Sequence, residues 1–197
     1  MELIVYSDAK VQVSGDKIVV ENGFVRIRRN RIEVYNGLNT CIDGSTRIAP
    51  GRGLYKAAPG APPETPHVTE ACIPAGSHIY KIRVVTHGSV NVGADAPLAD
   101  TLALAISGAG RIQLHGGQFD SINAEITGPG HIRAWAKTEV ACADFRVDGS
   151  GRISGFVVSR EVKTCVKKNG VVDMSALSGV RCLEARDNQG KIDYKKI

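Results

Sequence analysis

The sequence predicts an all-β protein, a parallel β-helix (β-solenoid) of about five coils with an N-terminal β cap. Three observations predict it. Glycine corners recur at nearly constant spacing. Apolar residues alternate on either side of each corner. The composition is rich in glycine and poor in aromatics: among 197 residues, 22 are Gly, 43% are hydrophobic and only 5% are aromatic. That mixture suits many turns around a core of small and branched aliphatic side chains better than a helical bundle.

The corners are Ser107-Gly108-Ala109-Gly110, Thr127-Gly128-Pro129-Gly130 and Asp148-Gly149-Ser150-Gly151, with a degenerate copy at Lys167-Lys168-Asn169-Gly170. Gly110, Gly130, Gly151 and Gly170 are separated by strides of 20, 21 and 19 residues. Upstream, His87-Gly88-Ser89-Val90 stands about one stride earlier. A fixed period of this size marks a repeat architecture whose units stack. Before the corners the apolar positions are Leu102, Leu104, Ile106, then Ile122, Ala124, Ile126, then Ala143, Phe145, Val147. After them stand Ile112 and Leu114, then Ile132, Ala134 and Ala136, then Ile153, Gly155 and Val157. A period of two means strands with one buried face. Each unit thus reads as strand, glycine corner, strand, longer corner, and five units make a column on the order of 24 Å long. A meander of antiparallel hairpins is the competing architecture. Constant spacing and like-on-like apolar columns favour coiling.

Around this core the chain divides into four parts. Residues 1–36 hold VQVSGDKIVV and VRIRRNRIEV, alternating strand pairs that form an N-terminal β cap or short coils. Residues 37–76 are a Pro/Gly-rich loop region, with six of the eight prolines between Pro50 and Pro74. The β-solenoid spans 77–176, and 177–197 are a C-terminal coil end and polar tail.

The units GAGRI, GPGHI and GSGRI, each preceded by an alternating strand, resemble the GIN domain (auto-transporter adhesin head domain) over about residues 79–176. The resemblance implies a right-handed parallel β-helix and carries little about function.

Alternation also fixes what faces outward. Arg111, His131 and Arg152 form one outward column. Gln113, Arg133 and Ser154 form the next, and His115, Trp135 and Phe156 a third. Vertical neighbours lie about 4.8 Å apart, so a basic column runs beside a partly aromatic one. Three readings compete: a subunit interface anchored by Trp and Arg, packing beneath the Pro-rich loop or the cap, and a ligand platform for an acidic glycan or nucleic acid. The first is preferred. It makes the protein a non-enzymatic structural or interaction protein that self-associates through the strip, with a homotrimer favoured, and fits a virion or surface component. The binding module is the alternative, and a carbohydrate-active enzyme the remote third.

Other features point to less. No catalytic signature and no cofactor motif is present. His67, Glu70, Cys72 and His78 lie close together in PHVTEACIPAGSH, but their spacing matches no zinc motif. Asp95, Asp100, Asp120 and Asp144 suggest a glycosidase carboxylate pair only weakly. Five cysteines without a CxxC read as free thiols, with a Cys41–Cys72 disulfide as the minor alternative. The opening MELIVYSDAKVQV does not read as a signal peptide, and no apolar run approaches a membrane span. The expectation is a cytoplasmic protein, or one assembled into a particle from the cytoplasm. The net charge of +5 permits an acidic partner.

Overall fold

The computed structural model describes residues 1–6, 8–21, 23–28, 30–36, 46–49, 53–56, 68–135, 138–187 and 189–197. These residues form strands and turns, with no helix among them. In chain order the strands are β1 (Glu2–Val5), β2 (Lys10–Ser14), β3 (Lys17–Glu21), β4 (Gly23–Arg28), β5 (Arg31–Asn36), β6 (Thr46–Ala49), β7 (Gly53–Lys56), β8 (Val68–Cys72), β9 (Ile79–Val84) and β10 (Ser89–Val92). They continue with β11 (Leu98–Ser107), β12 (Arg111–Leu114), β13 (Gly117–Thr127), β14 (His131–Ala134), β15 (Thr138–Asp148), β16 (Arg152–Lys167), β17 (Val171–Ala176), β18 (Arg181–Arg186) and β19 (Lys191–Lys196).

Apart from β3, β4, β6, β7 and β8, the strands pair in parallel with strands of neighbouring turns. One sheet runs β5, β1, β9, β11, β13, β15, the second half of β16, then β18. The other runs β2, β10, β12, β14, the first half of β16, β17, then β19. The ladder of parallel pairs one turn apart makes the molecule a β-solenoid of about six turns, against about five expected. The winding is extended at its ends by β1–β2 and β18–β19, whose connections lack the paired-glycine corner that marks the central units. The segment expected as a polar tail is a rung: β19 keeps full register with β17 from Val171↔Lys191 to Ala176↔Lys196.

Ile112, Ile132 and Ile153 are direct vertical neighbours. Val11 and Val90 extend the pile in one direction and Val172 in the other. All six are buried. On the opposite sheet Val5, Val84, Ile106, Ile126, Val147 and Val166 form a second pile. Each such side chain contributes on the order of 1.5–3 kcal/mol by leaving water, so the two interior piles hold the column together.

The paired glycines have separate reasons. Gly128 and Gly149 adopt φ of 114° and 143°, a region that L side chains resist. A Cβ on Gly149 would also lie 2.7 Å from the carbonyl oxygen of Gly128, one turn below. The second glycine of each pair packs under the core: a Cβ on Gly130 would lie 2.5 Å from Cγ2 of Ile106. In the degenerate corner a non-glycine residue, Lys168, takes φ of 58°. It is held there from two sides. Asp187 accepts its backbone N–H at 2.6 Å, and Asp148 pairs with its ammonium at 2.7 Å.

The N-terminal region combines both expectations for it. β1 and β2 belong to the winding, while β3 runs antiparallel to β2, β8 antiparallel to β3, and β4 antiparallel to β5. The strand at Val68–Cys72 lies within the stretch read as loop; its N–H and C=O groups complete β3. Strands β6 and β7 pair as a hairpin. Residues 73–76 follow β8 as a turn, and the rest of the Pro-rich stretch, 37–45, 50–52 and 57–67, lies outside the described residues.

Candidate functional site

The outward residues of the second sheet are set by the same register. Arg111, His131 and Arg152 stand one above another, as do Gln113, Arg133 and Ser154. Each of the first three follows a corner, and its backbone N–H donates to a corner glycine of the preceding turn: Arg111 to Gly88, His131 to Gly110 and Arg152 to Gly130, at 2.9–3.0 Å. The corner therefore fixes the phase from which all outward side chains of the strand are counted.

His115 and Trp135 extend the third column. Their rings stack with centroids 5.8 Å apart and planes inclined by 8°. The guanidinium carbon of Arg133 lies 3.9 Å from the Trp135 ring centroid, a cation–π contact. The Trp135 backbone is pinned on both sides. Its N–H donates to Leu114 O at 2.9 Å, and its carbonyl accepts from the Thr138 N–H and hydroxyl at 3.2 and 3.1 Å. The ring remains 40% exposed.

Phe156 does not join this column. It is fully buried and packs on Phe145, with centroids 5.1 Å apart. The cause is a bulge. Ser154 pairs with Asp173, but the next pair is Val157 with Ser175, so Gly155 and Phe156 together stand opposite Met174. One extra residue inverts the alternation. Gly155 carries the bend at φ of 85°, and a Cβ there would lie 2.0 Å from Ala134 O. The expectations of an outward Phe156 and an inward Val157 are therefore corrected: Phe156 and Val158 point inward, and Val157 is half-buried and pairs with Ser175.

The result is an open groove of about 630 Å³ across four turns. Arg111, His131 and Arg152 line one side, Trp135 and Ser175 the other, with Ala134, Gly155 and Met174 beneath. Arg152 is ion-paired with Asp173. Arg111 and Arg133 have no carboxylate partner among the described residues. The first sheet is arranged differently. There Glu2 bridges Arg31 and Lys81 at 3.2 and 3.1 Å, Asp144 pairs with Arg146 at 2.9 Å, and Glu161 with Lys163 at 3.4 Å. Positive charge is locally matched on one sheet and left in excess on the other.

His131 reports that excess. Loss of solvation against the neighbouring turns, followed by the charges of Arg111 and Arg152, holds its imidazole below the ordinary value of 6.5. A base whose folded-state value is depressed takes up its proton first in the unfolded chain. Stability therefore falls as the pH drops below 6.5 and levels off below the folded-state value. The expected result is that His131→Gln flattens this part of the stability profile between about pH 7 and pH 5, measured by chemical denaturation at each pH. An unchanged profile would mean that neither burial nor the charges of Arg111 and Arg152 depress the imidazole.

Of the residues predicted for the strip, the structure brings Arg111, His131, Arg133, Arg152, Trp135 and His115 onto one face and removes Phe156. Sequence reasoning missed Asp173 and Ser175. Asp173 was within reach, since its position one stride after Ser154 follows from the corner at Gly170. Ser175 depends on the bulge and was not. Among the other candidates, Asp95 accepts from the Ser14 hydroxyl at 3.1 Å and Asp144 from Arg146, so both have structural partners. Asp100 and Asp120 line a separate depression with Glu139. His67 and Cys41 lie outside the described residues. Among the described residues no group of three His, Cys, Asp or Glu could hold a metal ion, and no helix is long and apolar enough to cross a membrane. Comparisons with family models, with curated proteins and with solved structures find no match to this chain.

Proposed function

We propose that this β-solenoid is a non-enzymatic recognition module that holds an acidic chain along the groove of its second sheet. The observation that supports this most is the stack of Arg111, His131 and Arg152, with Arg133 beside it and Asp173 as the one carboxylate in the groove. Arg111 and Arg152, two rungs apart across His131, and Arg133 beside them are like charges that repel. An anionic ligand turns that repulsion into attraction, and the groove's length across four turns suits an extended chain better than a compact ion. The test is retention on a heparin matrix. The protein is expected to bind at low salt and to elute steeply as salt rises, because counterions are released on binding. Flow-through at low salt would remove the reading.

A second reading, self-association, keeps one observation in its favour: Trp135, exposed beside Arg133, is the side-chain pair that anchors interfaces. In this reading three columns pack about a shared axis through the strip, as in a shell or surface component. The burial of Phe156 removes one of the two apolar anchors expected for it and leaves Trp135. Light scattering on wild type and Trp135→Ala separates the two. A wild-type trimer that dissociates in the variant would favour assembly, and a monomer in both would favour the groove.

A further inference from the structure

The bulge at Gly155 does more than bury Phe156. It leaves a slot. Trp135 forms one wall. Ser175, two turns further along and paired with Val157, lines the other. The floor is the backbone of Ala134 and Gly155, with Met174 beyond. The intervening turn lines this point through Gly155, which has no side chain; Phe156 points inward, and Val157, the half-buried residue paired with Ser175, lies beside the slot and does not line it. His115 stacks on Trp135 from the preceding turn, and the Arg133 guanidinium carbon lies over the ring, 3.9 Å from its centroid.

We infer that this slot seats one sugar ring of an acidic glycan, stacked on Trp135 in place of the Arg133 guanidinium. This rests on the groove reading above and deepens it. The walls favour a sugar over a nucleobase. Only one wall is aromatic, whereas a base-stacking site repeats aromatics along the strand, and the residue that would have supplied the second is in the core. The other wall offers the hydroxyls of Ser154 and Ser175 and the Asp173 carboxylate. These groups hydrogen-bond to ring hydroxyls on the face turned away from the indole. The displaced guanidinium keeps its charge in the groove and meets the acidic group of the same or the neighbouring sugar.

Trp135 is the protein's single tryptophan, so its emission reports on the slot alone. Hexagalacturonate and hexathymidylate serve as probes on the full chain, with calorimetry measuring binding and acrylamide quenching measuring access to the indole. Hexagalacturonate is expected to bind and to lower the quenching constant about twofold or more by covering an exposed ring face. Ser175→Phe, which fills the slot from its far wall, is expected to weaken that binding about tenfold with an unchanged melting temperature. Binding with unaltered quenching, or full binding by Ser175→Phe, would overturn the slot and leave the basic groove standing. Stronger shielding by hexathymidylate would overturn the choice of sugar. Neither probe binding, together with flow-through on heparin, would overturn the groove and the slot at once.

Discussion

Gly155→Ala is expected to destabilise the protein by about 2–5 kcal/mol, more than other glycine substitutions of the same backbone type. Two costs add. Alanine at a positive φ costs about 1–2 kcal/mol, and Gly155 sits at φ of 85°. The new methyl would also lie 2.0 Å from the carbonyl oxygen of Ala134. That contact is with backbone fixed in the parallel ladder, so relief requires the two turns to separate, at about 1–3 kcal/mol of overpacking. Gly76 supplies the control. It has φ of 74°, and a methyl there would meet nothing within 4 Å, so Gly76→Ala carries the conformational part alone. Denaturant midpoints of the two variants at equal m-value measure the difference. Equal losses would show that the bulge is free to move, and the inward place of Phe156 would then have another cause.

The triple substitution Arg111→Ala, Arg133→Ala, Arg152→Ala is expected to abolish retention on heparin at moderate salt. Each lost cation–anion contact lowers the slope of log K against log salt by about one. The three arginines together are thus worth a slope change of about two to three and a loss on the order of 100-fold at low salt. They do not act equally. Arg152 already spends its charge on Asp173, so removing it alone also frees a carboxylate that repels the ligand. Arg111 has no such partner, and its loss subtracts attraction only. All three are exposed, so stability should stay within about 0.5 kcal/mol of wild type. A triple variant that binds as well as wild type with the same salt slope would mean that the excess charge of the second sheet is not the contact surface.

The sequence made the winding legible because two independent signals agree in it. The glycine pairs mark where the chain turns, and the alternation counted from each pair marks what lies inside. Ile112, Ile132 and Ile153 stack as that counting requires, and Arg111, His131 and Arg152 stack with them on the outside. The same counting failed at Phe156, because it assumed that every residue advances the alternation by one. A bulge advances it by two, and its signature in the sequence is only a lone Gly155 inside an apolar strand. The end turns were hidden for a different reason. The connections from β1 to β2 and from β18 to β19 carry no paired glycine, and β19 is mostly exposed, so neither periodicity nor hydrophobicity distinguishes it from a tail. At the N-terminal end the antiparallel strands β3, β4 and β8 depart from the repeat, and only the pairing itself reveals them.

Because each interior pile and each corner is satisfied by neighbouring turns, the outward positions carry only a small part of what holds the protein together. Substitutions there can accumulate one turn at a time. A descendant of this chain could trade Arg111 or His131 for another residue, and with it one kind of partner for another, while its backbone stays the same. The column is in that sense a heritable display, with recognition free to diverge on a frame that is not.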